Sequence, residues 1–169
     1  MISGRAALGL VALALGLGGV SHAEPVAGGW ELACKPVAGE ARLGCVASTS
    51  VVSPNTGELL LRVEVIPAGT LGNDNAVLRL KLPHGVALNA SIGVKIDQGE
   101  LIKVPLASSN AEGLTAVQQI GGDIVEELRA GTGMAVTVGT LDGKTLTNSV
   151  SLVGLSLVLD AETRIGAGQ

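Results

Sequence analysis

The 169-residue chain has no phenylalanine, no tyrosine and one tryptophan. It therefore offers no aromatic platform on which bases could stack. Basic residues are also scarce: 11 Lys and Arg stand against 15 Asp and Glu, for a formal charge of −4. That balance excludes the basic stripe that tracks a phosphate backbone, so nucleic acid drops out as a partner. Charged residues make up only 15% and apolar ones 47%, which is too apolar for an intrinsically disordered chain. The length suits one domain and argues against a two-domain enzyme.

Only one long apolar run is present, and it lies at the N-terminus. Arg5 forms a short basic start, Ala6 to Val20 is apolar or glycine, and Ser21-His22-Ala23 sets small residues before Glu24-Pro25. This is the pattern of a secretory signal peptide cleaved after Ala23. The run is shorter than the roughly 20 residues a spanning helix needs. A lipid anchor is disfavoured because the first cysteine, Cys34, lies well past the run and follows Glu31-Leu32-Ala33. Residues 1–23 are thus expected to be the signal peptide and 24–169 a single mature domain, periplasmic or secreted, with no membrane span. Removing 23 residues from 169 leaves 146, with ten basic and fifteen acidic side chains.

Cys34 and Cys45 are the only cysteines. In an exported chain an even pair reads as a disulfide, here closing a short loop. Zinc would need two further ligands, and His84 is the sole mature histidine. A redox dithiol normally has the tighter C-x-x-C spacing.

Period-two alternation dominates the mature chain and signals half-buried strands. It runs through Trp30-Leu32-Cys34, Leu61-Val63-Val65, Leu78-Leu80-Leu82, Ile92-Val94-Ile96, Ile102-Val104-Leu106 and Met134-Val136-Val138. A last strand through Val150 and Leu152 is expected to continue past Gly154 along Leu155, Leu157 and Leu159, leaving a frayed tail from Ala161. Turn signals separate the runs at Pro54–Gly57, Gly69–Asn75, Gln98-Gly99 and Asp142-Gly143. The last predicts a hairpin with a type I′ turn. One segment breaks the alternation: Asp123 as N-cap with Glu126 three residues on, Ile124 and Leu128 on one face, and Gly131 as a left-handed stop predict a helix of about two turns. The expectation is an all-β antiparallel β-sandwich with one short α-helix, its core filled by Val, Leu and Ile.

Chemistry-bearing patterns are sparse. His84, in Pro83-His84-Gly85, reads as a solvent-facing turn residue. There is no Gly-x-Ser-x-Gly elbow. Gly143-Lys144-Thr145 lacks the upstream glycine of a phosphate loop and precedes a strand. Asn73-Asp74-Asn75 lacks the glycine and distal glutamate of a calcium loop. Asn89-Ala90-Ser91 fits a glycosylation sequon, relevant only to a eukaryotic route. Asp97 is the best candidate for a structural hydrogen bond, capping the Gln98-Gly99 turn. Other carboxylates are spread over turns and strand exteriors, with no spacing that proposes a catalytic pair. No catalytic, cofactor-binding or metal-binding residue is assigned.

The run Leu78-Arg79-Leu80-Lys81-Leu82-Pro83-His84-Gly85-Val86, followed by Ile92-Gly93-Val94-Lys95-Ile96-Asp97-Gln98-Gly99, resembles the invasion-associated locus B family. Trp30 with Cys34 and Cys45 looks like that family's N-terminal Trp and cysteine pair, Glu127–Gly131 like its short helix, and Val150–Leu155 like its closing strand. The resemblance implies a small exported β-sandwich of bacterial envelopes with no associated enzyme activity or cofactor. That family is named for host-cell invasion and also occurs in bacteria that are not pathogens. It usually has a second cysteine pair, where this chain has Ser108 and Leu114; the missing staple is expected to loosen the Ser108–Gly113 loop. The function expected is protein binding, with an envelope or host protein as partner. The alternatives are a periplasmic small-ligand or accessory module and, as a minor one, a carboxylate-based hydrolase. The oligomeric state is not fixed by the sequence.

Overall fold

A computed structural model describes residues 26–27, 29–38, 43–68, 74–88 and 92–167. The expected signal segment 1–23, Asn73 and Asn89-Ala90-Ser91 lie outside them. Among the described residues, eleven strands and two helices follow one another as β1 (Val26–Ala27), β2 (Glu31–Pro36), β3 (Leu43–Val52), β4 (Leu59–Pro67), β5 (Ala76–Leu82), β6 (Ile92–Ile96), β7 (Leu101–Val104), β8 (Leu106–Asn110), β9 (Gly113–Ile120), α1 (Gly122–Ala130), β10 (Gly133–Gly139), β11 (Thr145–Ser151) and α2 (Leu155–Ala167).

The strands form two antiparallel sheets. The larger has seven strands in the order β1-β3-β4-β5-β9-β8, with β2 also on β3; the smaller has four in the order β11-β10-β6-β7. Their facing sides supply a core of aliphatic side chains, including Leu61, Val63, Leu78, Leu80, Ile92, Val94, Val104 and Val136, all fully buried. Each such side chain gains about 1.5–3 kcal/mol on leaving water, so the lack of aromatics costs the fold no core. Pro105 breaks the Ile102–Leu106 run expected as one strand: β7 belongs to the small sheet and β8 to the large one. Trp30 closes the opposite side, its indole Nε1 donating to the carbonyl of Ser151 at the end of β11, 2.8 Å away.

Several expectations change. Leu155, Leu157 and Leu159 do not extend β11; they open α2, which runs on to Ala167 through the tail expected to fray. Gly154, at φ +93°, makes the break. Leu155 and Leu159, four apart, face the core, while Leu157 is 70% exposed. Leu155 and Leu159 satisfy the helical period as well as the strand period, and tertiary burial chooses the helical one. The sandwich thus carries two short helices. The N-cap of α1 is Gly121, not Asp123, and gives no side-chain cap; Asp123 sits in the first turn. Gly131 is extended (φ −71°, ψ 160°) and not left-handed, though its N–H still bonds Glu127 O. At the Asp142-Gly143 hairpin only Gly143 has positive φ; with Gly143 N–H to Thr140 O and Thr140 N–H to Lys144 O, this is a three-residue loop with a left-handed glycine, not a type I′ turn. Ser108–Gly113 is the tight β8–β9 hairpin, with Ser109 opposite Leu114. Among the described residues no helix is long and apolar enough to cross a membrane.

A surface cluster around a buried carboxylate

The central strands of the large sheet present one face to the core and the other outward. Cross-strand register aligns Ser48, Glu64 and Arg79 in one outward row and Ser50, Arg62 and Lys81 in the next. Ile66 and Val77 form an apolar row beside them. Glu64 belongs to the polar phase of its strand, yet only 4% of it is exposed. Three cations cover it. Arg79 Nε donates to its Oε2, Arg62 Nε to its Oε1 at 3.1 Å, and Lys81 Nζ lies 3.4 Å from Oε1. Arg62 Nη2 also donates to Ser48 Oγ at 2.8 Å.

Burial alone would push the Glu64 carboxyl up. The hydrogen bond and charge of Arg79, aided by Lys81 and Arg62, outweigh burial and hold it below the usual carboxylate range. One buried negative charge thereby fixes three positive side chains, each between about a third and a half exposed. The cluster is a net positive patch on an acidic protein. The sequence reading missed it, having placed the acids on strand exteriors. Its signal is the outward Arg62, Glu64, Arg79 and Lys81 of two strands, legible only once the β4–β5 register is known.

Asp97 has the structural role expected of it, with different partners. Its oxygens accept from Thr132 N–H (3.0 Å), Thr132 Oγ1 (2.9 Å) and Gly133 N–H (2.9 Å). It therefore ties the β6–β7 turn to the start of β10 rather than capping Gln98-Gly99, whose own bond is Gly99 N–H to Ile96 O. These bonds, the Thr132 N–H first, hold its carboxyl below the usual range. Asp97 adopts φ +43°, the sole described non-glycine residue at positive φ. Beside it is a shallow depression of about 240 Å³, lined by Ile96, Asp97, Gly99, Glu127, Ala130 and Gly131. The Asp97 oxygens facing Thr132 and Gly133 are already satisfied.

His84 lies exposed in the turn between β5 and Val86. That turn packs beside the β10–β11 hairpin through Ala87 N–H to Gly139 O and Leu141 N–H to Gly85 O. Among the described residues no three His, Cys, Asp or Glu side chains are grouped to hold a metal. Cys34 and Cys45 stand directly opposite each other on β2 and β3 and form a disulfide, which staples an edge strand to the sheet.

Residues 30–163 match the profile of the Invasion associated locus B protein family. Among solved structures, the invasion associated protein B of Bartonella henselae is similar in fold, with a TM-score of 0.66 at 20% identity, covering 80% of this chain and 91% of that one. Curated proteins give no match.

Proposed function

The chain belongs to the Invasion associated locus B family, and from that premise we propose that it is a non-enzymatic binding module, exported to the periplasm or beyond. In this reading residues 1–23 are the signal peptide, 24–169 are the mature domain, and the partner is another envelope or host protein. The outward face of the seven-stranded sheet is the binding surface.

The observation that carries the reading is the cluster on that face. Exposed ion pairs form readily without burying a carboxylate and are worth little. Here Glu64 is withdrawn from water and holds Arg62, Arg79 and Lys81 in place. Side chains ordered in advance lower the entropic cost of binding. The disulfide supports an oxidising compartment.

Two measurements test the reading. Intact mass of exported protein should place the N-terminus at Glu24; a retained leader contradicts export. Pulldown with the mature chain from envelope extract should recover a stoichiometric protein that Lys81→Glu loses. A co-purifying apolar ligand without such a protein contradicts it.

A further inference from the structure

Charge is unevenly distributed over this molecule. Acidic side chains gather on turns and helices, as at Glu58, Glu112, Glu126, Asp142 and Asp160. On the outward face of the seven-stranded sheet, Lys35, Arg62, Arg79 and Lys81 stand against Glu31 and Glu64. The face is thus net positive on a chain of formal charge −4.

Two of the cations stay open to a partner. Arg79 engages Glu64 through Nε and keeps a third of its side chain exposed. Lys81 Nζ lies 3.4 Å from Glu64, with 46% of its side chain exposed. Both lie on β5, two residues apart, so both face outward about 6.6–6.8 Å from each other. Val77 precedes them on the same face, with Ile66 opposite it across the β4–β5 pair. Along β5 the face therefore reads apolar, cation, cation. A second extended chain has the same side-chain period and would meet this line with its complement.

We propose that this face docks an extended acidic segment of a partner protein, with carboxylates at two alternating positions on Arg79 and Lys81 and an apolar side chain over Val77 and Ile66. The proposal deepens the binding reading above and rests on it. Both arginines are already oriented by Glu64, so pairing orders little besides the partner. Recognition by exposed charges weakens with salt, the screening length being about 8 Å at physiological ionic strength.

The test uses the isotope-labelled mature protein and a synthetic peptide, Val-Thr-Glu-Thr-Glu-Thr-Val, with a control in which both Glu are Gln. The acidic peptide should shift amide resonances of β4 and β5, bind more weakly as salt rises, and lose about tenfold in affinity to Lys81→Glu. Because Lys81→Glu also sets a second carboxylate near Glu64, its fold is checked by circular dichroism, and Lys81→Ala, which only removes the cation, should weaken binding too. The inference is overturned if the acidic peptide leaves these resonances unmoved, if the Gln peptide acts equally, or if anionic vesicles shift them and the peptide does not. Photo-cross-linking of an envelope partner through position 115, across from Lys81 on β9, separates this from the broader reading. Cross-links indifferent to excess peptide leave the binding surface standing and overturn the acidic segment. Peptide binding without any cross-linked partner overturns the proposed function and keeps the acidic site.

Discussion

Replacing Glu64 with glutamine keeps the shape of the side chain and removes its charge. Two hydrogen bonds from guanidinium Nε atoms and one ammonium contact lose their ionic character. Hydrogen bonds to a buried charged group are worth about 1.5–3 kcal/mol each. The three cations remain between about a third and a half exposed and regain water when released, which pulls each loss toward the 0.2–1 kcal/mol of exposed pairs, roughly. The expected cost of Glu64→Gln is therefore about 1–3 kcal/mol near neutral pH. The pH dependence has a definite sign. Glu64 titrates lower in the folded chain than in the unfolded one. Its contribution is complete above the unfolded carboxylate value of about 4.3 and is lost as pH falls through the lower folded value. Urea melts of wild type and variant should differ by a constant amount from neutral to mildly acid pH and converge in stronger acid. Equal stability near neutral pH, or a gap that widens on acidification, would refute the account of the cluster.

Leu80→Ala, at a fully buried position, should cost about 2–5 kcal/mol in denaturant melts, while His84→Ala stays within about 0.5 kcal/mol. Reducing Cys34–Cys45 should lower the melting temperature without unfolding the domain, since a short loop contributes about 2–3 kcal/mol, and thiol titration before reduction should find none free. Asp97→Ala should destabilise the β6–β7 turn and the start of β10 more than Asp97→Asn, because asparagine tolerates the positive φ and keeps an acceptor; amide exchange at Thr132 and Gly133 reads this out.

Strands β4, β5, β6 and β10 are legible in the sequence because each has three successive inward positions filled by Val, Leu, Ile or Met. The β3 and β9 strands are hidden because theirs include Ala47, Thr49, Ala116 and Gln118, which dilute the alternation. In α2, Leu155, Leu157 and Leu159 read as a strand, while Leu155 and Leu159 alone suit a helical face, and only the core decides between them. The cluster was half legible. Alternation puts Arg62, Glu64, Arg79 and Lys81 on polar faces, but the burial of Glu64 comes from residues 15 and 17 positions further on, brought alongside by β4–β5 register. Asp97 stood out as a hydrogen-bonding residue, while its partner Thr132, 35 residues away, carries no local signal.

The central claim is that the outward face of the seven-stranded sheet is where this protein meets its partner. A photoreactive amino acid can be placed at Thr115, beside Lys81 on that face, at Thr147 on the outer face of the small sheet, and at Leu141 in the exposed β10–β11 turn. After irradiation in intact envelopes, position 115 should yield a discrete protein adduct, and Thr147 and Leu141 should not. Adducts from Leu141 or Thr147 with none from position 115 would contradict the claim.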